Sequence, residues 1–147
     1  FPSTATDEAR QMLAGWAQTL REPDGPLKRL EQSWPRNLNA AFRASPAGQA
    51  LYWQWQAQAA QADGASQAHV CEGLADYHLA ENLSAIAAPA LYLAGECDEV
   101  SPPALSQWMA AQVPGARFAT LPGAAHVANV DSAAAFNAAL LAFLRQH

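Results

Sequence analysis

The chain has 147 residues, of which 51% are apolar and 14% are charged, and its formal net charge is −5. This length is that of one ordinary domain with its own core. The acidic balance disfavours nucleic acid as a partner, and no apolar run reaches the roughly 18 residues of a membrane span. Two cysteines are too few for a disulfide scaffold, which favours free thiols in the cytoplasm. The first residues lack a signal-peptide pattern and an initiating Met, so we expect the sequence to begin inside a longer polypeptide.

The first 82 residues have a helical pattern and no strand signal. Thr6 or Asp7 can cap the first helix, and Ser45 followed by Pro46 is typical of the start of another. Proline and glycine between residues 21 and 26 separate the first helix from the second. The predicted helices cover residues 7–20, 26–33, 37–44, 46–60 and 66–77.

After residue 82 the pattern becomes strand, helix, strand, helix. The unbroken apolar run 90–94 is typical of a strand buried on both faces, and 116–121 is the second strand candidate. Ser101 is predicted to cap the helix between them, and Asp131 to cap the last helix. Strands joined by a helix are expected to be parallel with a right-handed crossover. Since a two-stranded parallel sheet is a poor stand-alone structure, we expect it to be the end of a larger sheet.

Asp98 and His126 each follow one of these strands. In open α/β sheets the ligand crevice lies beyond the carboxyl ends of the strands, and parallel neighbours are about 4.8 Å apart. Both side chains should therefore emerge at one edge, where the carboxylate can accept the Nδ1 proton and leave Nε2 as a base. A turn aspartate that binds only local backbone, and a plain surface histidine, are the alternatives for either residue alone. The matching positions favour a catalytic pair.

Two stretches carry a specific pattern, IAAPALYLAGECDEVSPP and VPGARFATLPGAAHVANVDSAAAFNAALLAFL. Together they resemble the C-terminal part of an α/β-hydrolase, most of all the branch similar to 3-oxoadipate enol-lactonases. The positions that match the motifs of that branch are Gly95, Asp98, Pro102, Pro103, Gly123, His126 and Asn129. The resemblance implies that Asp98 is the triad acid and His126 the triad base. It also implies an α/β fold in which a helical lid, residues 1–82, precedes the β-α-β-α part of the core, residues 83–147.

The nucleophile of such a triad is not found in this sequence. The family exposes its serine on a Gly-x-Ser-x-Gly turn, beside an oxyanion hole built from two backbone N–H groups. No serine here has glycines two residues before and after it. Cys97 adjoins Asp98, but the acidic neighbours Glu96 and Glu99 oppose formation of a thiolate. We therefore expect the chain alone to be inactive.

Trp53, Trp55 and Val127 are the candidate substrate-binding residues. The tryptophans lie in the lid region, where aromatic side chains often line a ligand pocket. Because they are two residues apart on a helix, they should point to different faces, and packing is the plain alternative for both. No cofactor and no metal is predicted, since the histidines and cysteines have none of the common zinc spacings.

Two functions from different classes remain open. The first is part of a serine-type hydrolase of a small carboxylic ester or lactone, completed by a missing N-terminal half. The second is a non-catalytic, truncated hydrolase module that self-associates through the exposed edge of strand 90–94. Dehalogenases, haloperoxidases and C–C bond hydrolases share the fold, so the reaction type depends on the absent nucleophile.

Overall fold

The structure, a computed structural model, describes residues 6–75 and 80–147, and these form two compact units. The first unit is helical and contains the described residues up to 35 and from 43 to 75. The second contains residues 36–42 together with residues 80–147. A short stretch of the N-terminal part of the chain thus belongs to the unit that carries the strands.

The elements follow in the predicted order, helices first and the strand–helix alternation afterwards. The helices before the strands are α1 (Asp7–Leu20), α2 (Gly25–Asn37), α3 (Ala40–Ala44), α4 (Pro46–Ala59), α5 (Gly64–Gly73) and a 3₁₀ helix (Ala80–Ala85). The remaining elements are β1 (Leu91–Gly95), α6 (Pro103–Gln112), β2 (Arg117–Leu121), α7 (Ala128–Asp131) and α8 (Ala133–Leu144). No helix among the described residues is long and apolar enough to cross a bilayer.

Helix α1 has the predicted bounds. The Thr6 hydroxyl accepts a hydrogen bond from the backbone N–H of Ala9 at 3.1 Å, which satisfies one of the free donors of the first turn. The residues that α1 buries recur at helical spacing, and they are Ala9, Leu13, Ala17 and Leu20. Ala68 of α5 is fully buried in the same cluster, so the core of the helical unit forms between α1 and α5.

A surface ion pair also joins α1 to α5. The Arg21 guanidinium lies 2.7 Å and 3.0 Å from the two carboxylate oxygens of Glu72, and this hydrogen bonding lowers the pKa of Glu72. His69 contacts the same carboxylate, with Nδ1 3.1 Å from Oε2. Burial raises the pKa of the Cys71 thiol. In the ranges that the structure describes, no three His, Cys, Asp or Glu side chains form a metal-binding group.

Two boundaries between residues 33 and 40 differ from the prediction. Helix α2 does not end at residue 33 but continues through Pro35 to Asn37. A proline near the end of a helix removes one backbone hydrogen bond without breaking a long helix, so the helix persists for its last turn. Helix α3 begins at Ala40 and not at 37, because the Asn39 carboxamide oxygen accepts from the backbone N–H of Phe42 at 2.8 Å.

Helix α5 begins earlier than predicted and ends at Gly73, and residue 77, its predicted end, lies outside the described residues. Asp63, predicted to end the preceding stretch, caps α5. Its carboxylate accepts from the backbone N–H of Ala65 at 3.0 Å and from the Ser66 hydroxyl at 2.6 Å. The hydrogen bond from Ser66 lowers the pKa of Asp63.

Strands β1 and β2 form the predicted parallel pair, joined by α6. The register places Leu91 opposite Arg117 and Gly95 opposite Leu121. Within this chain only Ala94 and Gly95 of β1 are buried, and Leu91 is half-buried. The prediction of a strand buried on both faces is therefore wrong for the chain by itself, since a two-stranded sheet has two edge strands and little cover.

Both predicted caps in the second half are wrong. Helix α6 begins at Pro103 with Pro102 in the cap position, and no side chain caps it, Ser101 included. Asp131 is the last residue of α7 and does not cap α8, whose preceding residue is Ser132. The Asp131 carboxylate is engaged elsewhere, by two backbone N–H groups outside these helices.

Candidate active site

Asp98 lies in the turn that follows β1. Its side chain is buried, with 8% of the residue exposed. Oδ1 accepts hydrogen bonds from the backbone N–H groups of Val100 and Ser101, both at 2.8 Å. These bonds are those of a turn aspartate, and they fix the carboxylate so that its second oxygen faces away from the local backbone. The two alternatives for Asp98, a turn aspartate and a catalytic acid, thus involve different oxygens of the carboxylate.

The second oxygen of Asp98 meets His126. Nδ1 of the imidazole lies 2.9 Å from Oδ2 of Asp98, and the imidazole is about one-third exposed. A carboxylate only accepts hydrogen bonds, so the neutral imidazole carries its proton on Nδ1 and keeps the Nε2 lone pair. The arrangement is a buried acid that orients a base with access to solvent.

Backbone hydrogen bonds continue the strand pairing into the two site loops. The Glu96 N–H donates to the Leu121 carbonyl at 3.0 Å, and the Cys97 N–H donates to the Ala124 carbonyl at 2.8 Å. The Glu96 carboxylate also accepts from the Gly123 N–H at 3.0 Å. The loop that carries the acid and the loop that carries the base are therefore fixed to each other before either side chain is considered.

Gly95 permits this close approach of the two loops. A Cβ atom at residue 95 would lie 2.2 Å from the Ala125 carbonyl oxygen and 2.5 Å from that of Ala124. No side chain tolerates backbone atoms at those distances. Gly123 has a different reason to be glycine, because its φ of 68° lies in the left-handed region.

A cleft of about 220 Å³ opens beside the pair. The side chains of Asp98 and His126 line it together with small, hydroxyl-bearing and apolar residues. The lining residues are Leu93, Ala94, Gly95, Asp98, Ser101, Ser106, His126, Ala128, Asn129 and Phe136. Asn129, the last position of the Gly-x-x-His-x-x-Asn motif, thus reaches the same cleft as the histidine. Cys97 is exposed and is not part of this lining.

None of the three candidate substrate-binding residues is among the residues that line this cleft. Val127 is half-buried, and its backbone N–H donates to the Asn37 carbonyl at 2.8 Å. Trp55 packs edge-on against Trp34 within the helical unit, with ring centroids 5.5 Å apart, and Trp53 is 63% exposed. Their role in binding a substrate stays a prediction.

Asp131 contacts the histidine loop, although the sequence predicted it only as a helix cap. Its Oδ2 accepts from the backbone N–H of Ala125 at 2.9 Å and from that of Asn39 at 2.8 Å. Ala125 directly precedes His126, so the Asp131 carboxylate binds the backbone next to the base. An aspartate before an alanine-rich helix is typical of a helix cap, and nothing in the sequence indicates another partner for its carboxylate.

Solved structures similar to this chain include an enol-lactonase, an esterase and a bromoperoxidase. The chain is similar to the enol-lactonase from Burkholderia xenovorans LB400, with 24% identity and a TM-score of 0.82, over 92% of this chain and 50% of that one. It is similar to a thermophilic esterase from Thermogutta terrifontis, with 25% identity and a TM-score of 0.81, over 97% and 52%. It is also similar to a bromoperoxidase from Bacillus anthracis, with 19% identity and a TM-score of 0.77, over 95% and 49%.

No family model matches the sequence, and no curated protein matches it. The chain spans about half the length of the solved structures it matches, and the matched part is their C-terminal half. The predicted helical region followed by a β-α-β-α part with a short parallel sheet is confirmed. This chain therefore has the fold of the C-terminal half of an α/β-hydrolase.

Proposed function

We propose that this chain supplies the acid and the base of a serine-type α/β-hydrolase that cleaves a small carboxylic ester or lactone. Asp98 is the acid and His126 the base, while the serine and the oxyanion hole come from an N-terminal half outside this sequence. The observation that carries the proposal is the 2.9 Å contact between a buried carboxylate oxygen and the Nδ1 of a partly exposed imidazole. That contact lies at the carboxyl ends of two parallel strands, where α/β folds bind ligands.

In the proposed reaction, Asp98 and His126 have separate roles. As the serine hydroxyl attacks the substrate carbonyl carbon, Nε2 of His126 takes the hydroxyl proton and the imidazole becomes an imidazolium. The Asp98 carboxylate stays ionised and stabilises that cation. His126 then gives the proton to the leaving alkoxide, and an acyl-enzyme remains. In the second half of the cycle, His126 takes a proton from water as the water oxygen attacks the acyl carbon. His126 then gives that proton to the serine oxygen as the bond between serine and the acyl group breaks, which releases the acid and restores the serine hydroxyl.

The substrate class is supported by two of the similar structures, an enol-lactonase and an esterase. Both names describe cleavage of a C–O bond beside a carbonyl, which is the reaction that a serine, histidine and aspartate perform together. The bromoperoxidase shares the fold as well, so the fold alone does not select the reaction. We place the protein in the cytoplasm, because Cys71 and Cys97 are both free thiols.

The activity test uses the 147-residue chain and p-nitrophenyl acetate, an activated ester. We expect release of p-nitrophenol no faster than with the His126→Ala variant, because the chain holds no activated serine. Addition of an N-terminal half that contains a Gly-x-Ser-x-Gly turn should produce turnover that His126→Ala abolishes. Robust turnover by the chain alone, lost in His126→Ala, would show that the nucleophile lies within these residues and would overturn the proposal in this form.

A second candidate function rests on the sheet. Within the described residues each strand pairs on one side only, and β1 contains no charged residue that would oppose pairing. A non-catalytic module that joins a second copy through β1 would leave Asp98 and His126 without a role. Light scattering coupled to size exclusion separates the two candidates: a monomer that melts cooperatively excludes strand-mediated pairing, and a concentration-dependent dimer supports it.

A further inference from the structure

Two segments of the second unit donate hydrogen bonds to the Asp131 carboxylate. Oδ2 accepts from the backbone N–H of Ala125 in the histidine loop and from that of Asn39 in the stretch between α2 and α3. Asn39 precedes Asp131 by 92 residues. Hydrogen bonds from neutral N–H groups to a carboxylate are stronger than those between neutral groups, so this contact is a firm long-range link.

The same stretch holds the other side of the histidine. The backbone N–H of Val127 donates to the carbonyl of Asn37 at 2.8 Å. The residue before His126 and the residue after it are therefore both fixed by backbone hydrogen bonds, one to Asp131 directly and one to a segment that Asp131 also holds. With its neighbours fixed on both sides, the imidazole is placed where its Nδ1 reaches Asp98.

The side-chain hydrogen bonds of Asp131 are not those of a helix cap. Its Oδ1 is buried and accepts no hydrogen bond from any residue that the structure describes. An aspartate that caps a helix accepts hydrogen bonds from the backbone N–H groups of that helix. Both bonds of Asp131 instead run to residues outside α7 and α8.

We infer that Asp131 is a positioning residue, whose carboxylate sets the position and orientation of the His126 imidazole through Ala125 and the 37–39 stretch. The inference rests on the proposed function, because it assigns Asp131 a part in aligning the acid and the base. Asp131 does not line the cleft, so it acts through His126 and not on the substrate.

The test observes the imidazole directly in the full chain, labelled with ¹⁵N. In the unsubstituted chain we expect a protected, strongly downfield proton on Nδ1 of His126, which Asp98→Ala removes. Asp131→Ala should also remove or broaden this signal, and Asp131→Asn, which keeps one acceptor oxygen, should retain it in part. Asp63→Ala is the matched control, because Asp63 also accepts a backbone N–H but in the helical unit. It should leave the His126 signal unchanged.

The outcomes separate the two claims. If the downfield signal is missing from the folded, unsubstituted chain, the proposed acid–base pair fails, and the role of Asp131 fails with it. If the signal is present but persists unchanged in Asp131→Ala, with only the melting temperature lowered, Asp131 is structural and only this inference is overturned. Should Asp131→Ala fail to fold, the comparison of Asp131→Asn with Asp63→Asn decides, since both keep an acceptor oxygen. A His126 signal in Asp131→Asn that keeps both the full intensity and the position of the parent signal would then overturn the inference.

Discussion

Replacement of Gly95 by alanine should damage the site without touching either of its functional side chains. The added Cβ would lie 2.2 Å from the carbonyl oxygen of Ala125, the residue that precedes His126. Ordinary van der Waals contact begins at about 3.4 Å, so the oxygen must retreat by about 1.2 Å. The carbonyl oxygens of Ala125 and Ala124 cannot rotate away as the end of a flexible side chain could, because they are backbone atoms.

Two consequences follow from a displacement of that size. Overpacking of a close-packed region typically costs about 1–3 kcal/mol, so the free energy of unfolding should fall by that amount. If the whole shift reaches the imidazole, its Nδ1 moves from 2.9 Å to about 4.1 Å from Asp98, beyond hydrogen-bonding distance. Even a partial shift weakens the pair.

Urea unfolding followed by tryptophan fluorescence measures the first effect, and the downfield Nδ1 proton of His126 reports the second. Gly15→Ala is the matched control, since a Cβ there meets nothing within 4 Å and the position is an exposed helix interior. It should stabilise the chain by about 0.5–1 kcal/mol. If Gly95→Ala is as stable as the parent and keeps the Nδ1 signal, the close approach of the two loops is not as described.

Two further predictions concern stability. Leu13→Ala and Leu38→Ala each remove a side chain that is 1% exposed, one from each compact unit, and each should lower the free energy of unfolding by about 2–5 kcal/mol. Leu144→Ala, at 56% exposure, should change it by less than about 0.5 kcal/mol, and equal losses in all three would contradict the assigned burial. The lowered pKa of Asp63 means that its cap stabilises the fold at neutral pH and loses this effect as the pH falls below about 4. The melting temperature should therefore decrease more between pH 7 and pH 3 in the parent than in Ser66→Ala. An equal decrease in both proteins would refute the linkage.

The sequence was sufficient to predict the parallel strand pair and the meeting of Asp98 with His126. Both depend on short-range signals, namely an apolar run, a turn at its end, and the rule that parallel strands end at one edge. The resemblance to α/β-hydrolases added the roles. The structure supplies the reason for one glycine of that motif, since Gly95 must pass close to two carbonyl groups.

Features that depend on distant partners were not predictable. Asp131 has the local pattern of a helix cap, yet its bonds run to Ala125 and to Asn39, and no periodicity connects positions so far apart. Periodicity also placed Trp53 and Trp55 on different faces of a helix, but a face says nothing about which of them a substrate would meet. The continuation of α2 through Pro35 shows the same limit, because the tendency of proline to end a helix is only local.

The membership of residues 36–42 in the strand-bearing unit has a consequence for dissecting the chain. A fragment cut at the change of composition near residue 83 would keep both strands, Asp98 and His126, but it would lose Asn37 and Asn39. The Val127 N–H and the Asp131 carboxylate would each lose a backbone partner. Such a fragment would contain every residue of the acid–base pair and still lack one of the two supports of the histidine loop. The smallest piece that can report on this site is therefore discontinuous in sequence.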